Sequence, residues 1–516
     1  TYGSFICSTA YSNPSPRTGI ALATFTTIRQ PDNSQYINSM FDESILDKLK
    51  ALAELVPECY AEYRPVVIDG LLFFLERLPP PRQMEILGEQ TLLPNNTASA
   101  RRLVVLFRQC PTLHKLGQVV AHDRRLAPEL RRRLQALESQ KPTTPMNDIL
   151  DVVEREVGRV AGLEVAAQAL AEASVAVVVP FTWKVSATQQ AQRGVFKILR
   201  PGIEGKLHDE LEILSALGCF LEERCVHHHV PVFDFSSVLD SVSRLLVNEI
   251  RFDCEQVNLA QAAQFYADSP EVLIPGLLPF STSRITAMER VDGDKVTDSS
   301  VGRRKLAETI IEALLAKPFW LSADGAANFH ADPHAGNLFR TPDGRLAIFD
   351  WALVTQLDKV QREAIMQMVL GALTFNALKI CQAIEGLGKV GDQGKLKTAV
   401  DDALRKIRWG AFPGFEWITA LLDRVASERI VQFPEAMILF RKALLTMASV
   451  VADISETPGI DEVVIRNGGV QFFQGLAGRA IEPMNSRASG AHLSTEDILN
   501  VWFGLPMTAL RFWTTF

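Results

Sequence analysis

The stretch of sequence that decides the fold is residues 329–353, FHADPHAGNLFRTPDGRLAIFDWAL. It begins with His330 and Asp332, and Asn337 stands five residues after the aspartate. A short apolar run, a Pro-Asp-Gly turn and a second apolar run lead to Asp350, which predicts a loop followed by a strand hairpin with an aspartate at its end. Asp332 could orient a nucleophile, while Asn337 and Asp350 offer oxygen ligands for Mg²⁺. The segment therefore predicts phosphoryl-transfer chemistry.

The spacing of these residues is also that of a known motif. His-x-Asp-x-x-x-x-Asn is the pattern of a protein-kinase catalytic loop, and Asp350 stands where the aspartate of the Asp-Phe-Gly motif stands. Trp351 and Ala352 occupy the next two positions. A lone His-x-Asp is common by chance, but its combination with a spaced asparagine and a strand-terminal aspartate is much rarer.

A kinase-type site also requires a lysine on a strand, and Val195-Phe196-Lys197 provides one. A lysine inside an apolar strand carries an unpaired-charge penalty unless it faces an anion. In kinases the anions are nucleotide phosphates and a helix glutamate. Glu255, within a helical pattern over 248–264, is the candidate for that glutamate. An exposed surface acid is the alternative interpretation of Glu255.

The hydrophobic patterns predict helices first, then a small sheet with one helix, then a large helical region. The runs at 175–181 and 194–199 have the composition of buried strands. The other expectations are helices over 41–63, 64–78, 98–140, 147–172 and 203–223, short strands near 230–235, 244–249 and 284–289, and mostly helix from 302 onward.

The composition is that of a folded protein, with 47% hydrophobic and 22% charged residues. A total of 53 basic and 60 acidic residues gives a formal net charge of −7, which argues against a general nucleic-acid binder because such proteins carry a basic face. The sequence lacks a clean apolar run of about 18 residues, which argues against a polytopic membrane protein. Its seven cysteines form no C-x-x-C motif, so reduced thiols are expected rather than a disulfide framework or a zinc ribbon.

The two terminal segments have distinct compositions. Residues 1–32 are rich in Ser and Thr and nearly free of acids, which is typical of an organelle-targeting region or of an extended arm. Residues 499–516, LNVWFGLPMTALRFWTTF, are apolar and aromatic, but Pro506 and Arg511 interrupt them. This tail is expected to lie on a membrane or a partner, or to pack on the chain itself.

Further motifs make the kinase-type pattern specific. They are the K-x-G-Q sequence Lys115–Gln118, the Ala-rich segment Ala171–Ser174, the lysine strand with R-P-G-I at Phe196–Ile203, the acidic helix motif Glu249–Asn258, and H-x-D-P-H-x-G-N-L at His330–Leu338. On these residues the chain resembles the UbiB/ADCK-type atypical kinase-like family, which supports coenzyme Q biosynthesis. The resemblance covers roughly residues 112–354 and continues less distinctly into the helical region.

The resemblance implies an α+β fold with two lobes, as in protein kinases. A small β-rich N-lobe and a helical C-lobe would carry the site, and a helical N-terminal extension would precede them. The corresponding units are 1–100 for an arm and helices, 101–172 for the extension with the K-x-G-Q motif, 173–290 for the N-lobe, 291–490 for the C-lobe with the catalytic loop, and 491–516 for the apolar tail.

The resemblance also implies ATP and Mg²⁺ as cofactors and assigns the central roles. Lys197 would contact the phosphates and pair with Glu255. Asp332 would be the catalytic-loop aspartate, and Asn337 and Asp350 would bind Mg²⁺.

The remaining implied roles concern the rim of the cleft. Ala171, Ala173 and Ser174 would form the nucleotide loop. Lys115 and Gln118 would lie over the cleft and block ordinary peptide substrates, with Glu249 as the partner of Lys115. Such proteins are expected to be ATPases or kinases of small molecules or lipids at a membrane surface.

Three positions depart from the family pattern. Glu172 introduces a carboxylate into the Ala-rich loop, Arg251 replaces an acid, and Ala352 replaces the glycine after Asp350. Glu172 is expected to repel the terminal phosphates of ATP. The alternative is that it faces away from them or forms a compensating pair with Arg251.

Two function classes follow from this pattern. The first is a UbiB-type kinase or ATPase that supports coenzyme Q or other isoprenoid-quinone metabolism, with adenine nucleotide and a quinone-like lipid or membrane surface as partners. The second is a degenerate kinase fold that serves as a structural subunit of a multi-subunit mitochondrial membrane complex. The expected location is the mitochondrial inner membrane, with a plastid as the alternative.

Overall fold

A computed structural model describes residues 51–514 apart from 122–124, 136, 138–141, 185–190, 322–324 and 488–490. The predicted arm at 1–32 and the first part of the helix predicted over 41–63 lie outside the described residues. The helices are α1 Arg64–Arg77, α2 Pro80–Leu92, α3 Ser99–Gln109, α4 Pro111–Val120, α5 Pro128–Gln135, α6 Met146–Glu156, α7 Ile203–His227, α8 Phe235–Glu249, α9 Phe252–Phe265, α10 Arg303–Ile311, α11 Lys317–Leu321, α12 Lys359–Leu373, α13 Ala377–Glu385, α14 Gln393–Arg408, α15 Phe415–Ser427, α16 Glu435–Ile454, α17 Ile460–Gln474, α18 Leu476–Arg479, α19 Thr495–Phe503 and α20 Leu505–Thr514.

The strands are short and fall in the middle of the chain. They are β1 Leu163–Val165, β2 Ala171–Glu172, β3 Ala176–Trp183, β4 Gln192–Leu199, β5 Val272–Leu273, β6 Ile285–Glu289, β7 Asp294–Lys295, β8 Ala327–His330, β9 Leu338–Arg340, β10 Leu346–Ile348, β11 Val354–Leu357, β12 Lys389–Val390 and β13 Val431–Gln432. Short 3₁₀ turns at Ala53–Leu55 and Glu58–Tyr63 precede α1. The region predicted as one helix over 41–63 is therefore 3₁₀ in its described part.

Prolines divide the N-terminal extension into separate helices. Pro80 and Pro111 stand at the start of α2 and α4, where the missing amide hydrogen costs nothing. Cys110, just before Pro111, has an extended backbone, as the residue before a proline prefers. The helical stretch predicted over 98–140 is therefore divided into the three helices α3, α4 and α5.

The N-lobe sheet has the order β1-β3-β4-β6, with β2 paired to β3. Alternation along β4 turns Phe196 toward α6, where it stacks on Phe181 at 4.0 Å between ring centroids, and turns Lys197 to the opposite face. Gly194 is required on the same strand, because an added Cβ would lie 2.3 Å from the Phe181 ring. The predicted strand pair is confirmed, and its alternation puts the lysine on the cleft side of the sheet.

The helix predicted over 147–172 is wrong in its second half. Helix α6 ends at Glu156, and Gly158 then adopts a left-handed backbone with a φ of 75°. Such a glycine terminates helices because it has no Cβ to clash in that conformation. The chain continues into β1 and β2, which form a hairpin with β3.

Two helices, α7 and α8, separate β4 from α9. Helix α7 packs on α1 and α4 through a shared cluster that includes Phe74, Leu113, Ile213 and Leu217. The short strands predicted near 230–235 and 244–249 are wrong, because the first is irregular and the second is the end of α8. These two helices therefore join the N-lobe to the N-terminal extension.

The C-lobe is mainly helical around one large core. Small sheets with the orders β5-β10-β9-β7 and β11-β8 lie at its edge, and the hairpin predicted over 338–350 is β9 and β10. The core runs from α9 to α17 and includes Phe319, Ile365 and Phe440. The predicted α+β kinase-like fold is confirmed. The domain boundaries given above stay a prediction.

The last two helices, α19 and α20, contact the C-lobe. Phe512 of α20 meets Phe375 at 5.3 Å between ring centroids, and Arg408 lies over the Phe512 ring. Among the described residues, none of the helices is both long and apolar enough to cross a membrane.

Candidate active site

Lys197 stands in the middle of β4 and reaches across to two carboxylates. Its backbone pairs with Val178 on β3 and with Thr286 on β6, which fixes the base of the side chain. Its Nζ lies 2.7 Å from Glu255 Oε1 and 3.1 Å from Asp350 Oδ1. The structure thus brings together the predicted strand lysine, the predicted helix glutamate and the hairpin-terminal aspartate.

The pKa directions agree with one shared positive charge between two carboxylates. Burial alone would lower the pKa of Lys197, but Asp350 and Glu255 raise it above its ordinary value. Burial raises the pKa of Glu255, and the lysine offsets only part of that shift. For Asp350 burial also acts upward, but Lys197 outweighs it and the pKa is lowered. Glu255 is 1% exposed, so the alternative of an exposed surface acid is wrong.

The backbone of Asp350 is in the left-handed region, with a φ of 56°. This conformation is uncommon for residues other than glycine, although aspartate tolerates it better than most. The position follows the last residue of β10 by two residues, and it directs the carboxylate toward Lys197. Backbone strain at such a point is typical of functional sites.

His330 ties the catalytic loop to the hairpin end. Its Nε2 lies 3.0 Å from the carbonyl oxygen of Phe349, and the amide of Asp332 donates to its Nδ1 at 3.3 Å. These two contacts assign a neutral imidazole that donates from Nε2 and accepts at Nδ1. Burial lowers the pKa of His330, which favours the same neutral form. The histidine therefore sets the separation between Asp332 and Asp350.

Asn337 closes the loop from the other side. Its side-chain Nδ2 donates to the backbone carbonyl of Asp332 at 3.1 Å, and its backbone carbonyl accepts from the amide of Phe349 at 2.9 Å. The side-chain oxygen of Asn337 takes part in neither of these two bonds. Asn337 and Asp350 are suitable for Mg²⁺, because that ion is held by one or two protein oxygens together with water and phosphate. Among the described residues no three His, Cys, Asp or Glu side chains cluster as a separate metal site.

Asp332 is paired with a lysine that the sequence patterns did not reveal. Lys442 Nζ, on α16, lies 2.9 Å from Asp332 Oδ1, and His334 Nε2 lies 3.9 Å from Asp332 Oδ2. Burial alone would raise the pKa of the Asp332 carboxyl, but Lys442, His334 and Lys115 lower it well below its usual range. Sequence reasoning missed Lys442 because it lies outside every motif and reaches the loop only through the packing of α16.

The N-terminal extension reaches this cleft through Lys115. Its ammonium pairs with Glu249 Oε1, and Ser174 Oγ donates to the other oxygen of Glu249 at 3.2 Å. Burial would lower the pKa of Lys115, but Glu249, Asp332 and Asp350 raise it. The structure contains the expected contact between Lys115 and Glu249. Gln118 lies half-buried on the same helix, α4.

The Ala-rich segment is the turn between β2 and β3. Ala171 belongs to β2, and the amide of Ala173 donates to the carbonyl of Ala176 at 2.8 Å, which closes the turn. Ser174 follows in the turn and carries the contact to Glu249. The segment is thus a hairpin turn whose last residues touch the Lys115–Glu249 pair.

Glu172 faces away from the cleft, which was one of the expected alternatives, whereas the expected repulsion of the phosphates and the expected pair with Arg251 are wrong. Its Oε2 accepts from the backbone amides of Thr143 and Thr144 at 2.6 and 2.9 Å, and its Oε1 lies 3.3 Å from Arg200. Burial would raise the pKa of Glu172, but these amides and Arg200 lower it. Arg251 instead lies 3.8 Å from Asp253. Glu172 therefore holds the segment before α6 against the sheet, since its carboxylate is already saturated with donors.

The comparisons with known proteins agree with this geometry. Residues 136–384 match the ABC1 atypical kinase-like domain. This part of the chain belongs to the ABC1 atypical kinase-like family. The predicted UbiB-type family membership is confirmed, and the homologues support an atypical kinase-like function.

Relatives of this ABC1 domain occur in plants and bacteria. The chain is 29% identical over 281 residues to the protein ACTIVITY OF BC1 COMPLEX KINASE 3, chloroplastic, of Arabidopsis thaliana, which covers 52% of this chain and 37% of that protein. It is 26% identical over 284 residues to the probable protein kinase UbiB of Marinobacter nauticus, covering 51% of this chain and 49% of the relative. An uncharacterized protein of Synechocystis sp. is 25% identical over 369 residues, covering 66% of this chain and 87% of that protein. The chain thus spans half or less of the length of the two named kinases.

A solved structure of a Mycobacterium tuberculosis protein in complex with erythromycin is also similar to the ABC1-type chain. The TM-score is 0.46 and the identity 18%, and the match covers 61% of this chain and 80% of that one. The site assignments above rest on the geometry of this chain and not on that similarity.

Proposed function

We propose that this ABC1-type chain binds adenine nucleotide with Mg²⁺ in the cleft between the lobes and acts as an atypical kinase or ATPase. The observation that carries the proposal is the bridge from Lys197 to both Glu255 and Asp350. A buried cation shared by two carboxylates is the arrangement that kinases use to receive nucleotide phosphates.

Each residue has a distinct role in this proposal. Lys197 would turn from Asp350 toward the phosphates while Glu255 keeps it oriented. Mg²⁺, held by Asn337 and Asp350, would neutralise the charge that develops on the phosphates. Asp332 would orient the nucleophile or accept its proton. Lys115, which closes one side of the cleft through Glu249, would exclude ordinary peptide substrates.

Titration calorimetry with Mg·ATP tests this proposal directly. We expect the wild-type chain to bind Mg·ATP and to lose most of that affinity without Mg²⁺. The variant Asp350→Asn is expected to bind at least about tenfold more weakly, because it removes one charge from the metal ligands. Asp343→Asn is the matched control, since Asp343 lies in the turn of the same hairpin and pairs with Arg345. Neither heat nor a thermal shift at millimolar Mg·ATP would contradict the proposal.

We further propose that the chain works at an organellar membrane, mitochondrial or plastid, in support of coenzyme Q or another isoprenoid quinone. The resemblance to UbiB-type proteins suggests the quinone, and the chloroplastic relative supports a plastid. The apolar helices α19 and α20 suggest the membrane. Trp502, Phe503 and Trp513 are 68%, 80% and 71% exposed. Tryptophan and phenylalanine on the exposed side of a helix are typical of contact with the membrane interface.

Flotation with lipid vesicles tests the membrane proposal. We expect the chain to float with vesicles that contain anionic phospholipid. The double variant Trp502→Ser and Trp513→Ser is expected to remain in the soluble fraction. Trp409→Ser is a matched control for loss of a single exposed tryptophan outside α19 and α20. Equal flotation of the double variant and wild type would contradict this part of the proposal.

A further inference from the structure

Lys442 contacts the Asp332 carboxylate in the cleft, although it lies outside the family motifs in the sequence. Its Nζ is 2.9 Å from Asp332 Oδ1, whereas the loop between Asp332 and Asn337 contains only Pro, His, Ala and Gly. We propose that Lys442 is a positioning residue, which fixes and neutralises the Asp332 carboxylate so that the terminal phosphate of a nucleotide can approach it. This inference rests on the proposed nucleotide function of the cleft.

The helix that carries Lys442 is fixed to both strands around the catalytic loop. Phe440 of α16 packs on Phe329 of β8, with 4.9 Å between ring centroids. Thr355 of β11 donates its hydroxyl to the backbone carbonyl of Ala436 at 2.8 Å. Strand β8 leads into the loop and β11 follows the hairpin, so α16 is joined to the frame of the loop. Lys442 therefore approaches Asp332 from a fixed position and not from a free surface helix.

The other cations of the cleft are already engaged by other carboxylates. Lys197 lies between Glu255 and Asp350, and Lys115 pairs with Glu249. His334 is more distant from Asp332 than Lys442 is. Of these three lysines in the described part of the chain, Lys442 is the one that pairs with Asp332.

This arrangement has a consequence for nucleotide binding. The catalytic-loop aspartate of a kinase stands beside the transferred phosphate, because it orients the group that attacks that phosphate. An uncompensated carboxylate at about 5 Å would weaken binding of the phosphate by about fourfold at an effective dielectric of roughly 80 and about three-hundredfold at roughly 20. Lys442 removes this repulsion in advance, and ADP, which lacks the terminal phosphate, would gain little from it.

The first test compares Mg·ATP and Mg·ADP affinity in charge variants of α16. Lys442→Met is expected to weaken Mg·ATP binding about ten- to a hundredfold and Mg·ADP binding less than about threefold. Lys442→Arg keeps the charge and is expected to retain most of the ATP affinity. Arg441→Met is the matched control, because Arg441 is the neighbouring cation and pairs with Asp423 at 3.0 Å. Equal losses for ATP and ADP, or equal effects of the Lys442 and Arg441 variants, would overturn the inference.

The second test is a double-mutant cycle with Asp332→Asn, measured on nucleotide binding and on thermal unfolding of the free protein. If Lys442 acts through Asp332, its replacement by Met should matter little once the carboxylate is gone, in ATP affinity and in melting temperature alike. Additive effects in the unfolding cycle would overturn the inference. A wild-type chain that binds no nucleotide would overturn the proposed function, while the unfolding cycle would still decide whether Lys442 compensates Asp332.

Discussion

Lys197→Met is expected to reduce ATP turnover at least about a hundredfold, as the loss of a preorganised charge in an active site commonly does. The side chain is 15% exposed and is shared by two carboxylates, so the substitution removes a largely buried charge from the cleft. Its loss would leave Glu255 and Asp350 facing each other and the phosphates. The effect should appear in kcat as well as in nucleotide affinity, measured by a coupled ATPase assay and by calorimetry.

Arg193→Met is the control for this experiment. Arg193 lies on the same strand as Lys197, but its side chain is 58% exposed and pairs with Asp292 at the sheet edge. Such exposed pairs contribute little to stability, so turnover should stay near the wild-type rate. Wild-type turnover in Lys197→Met would show that ATP hydrolysis takes place somewhere other than this cleft.

Arg82→Met is expected to lower the free energy of unfolding by about 3–5 kcal/mol, because it leaves a buried charge without its partner. The Glu210 side chain is fully buried, and its Oε1 lies 2.8 Å from Arg82. Its Oε2 accepts from the amide and the hydroxyl of Thr112 at 3.0 and 2.7 Å. This cluster joins α2, α4 and α7, so the loss should appear as a lower urea midpoint of unfolding.

Two further variants make this result specific. Glu210→Gln combined with Arg82→Met removes both charges and is expected to recover most of the stability, since the amide oxygen can still accept from Thr112. Arg101→Met, at an exposed position on α3, should change the unfolding free energy by less than about 0.5 kcal/mol. A loss in Arg82→Met no larger than in Arg101→Met would mean that the buried pair is not important for stability.

Local sequence signals predicted the strands that carry the site. Val177 and Val179 on β3 and Phe196 on β4 are buried, as their apolar runs indicated. The prediction of a strand near 244–249 was wrong, because a few consecutive apolar residues fit a short strand or one face of a helix equally well. There the packing of Leu246 against Phe252 and the sheet decides for helix. The end of α6 was missed although a local signal was present, since Gly158 has the left-handed conformation that commonly follows a helix.

The residues of the candidate site also differ in whether the sequence alone could predict them. Lys197, Glu255, Asn337 and Asp350 could be predicted because their spacing within short segments is constrained by the chemistry. The orientation of Glu172 could not, because its partners lie in a segment almost thirty residues earlier. Lys442 likewise depends on how a distant helix packs, which a single sequence does not encode as a local pattern.

Helices α7 and α8 affect how this chain can be divided into folding units. Helix α7 lies inside the family domain at 136–384, yet it buries Ile213 and Leu217 against helices that come before residue 136. Helix α8, which follows α7, ends at Glu249, and Glu249 pairs with Lys115 from the region before residue 136. We therefore expect that the segment defined by homology does not fold as an autonomous unit. Homology marks where the catalytic motifs lie, whereas the smallest piece that folds cooperatively is expected to include the helices from α1 onward.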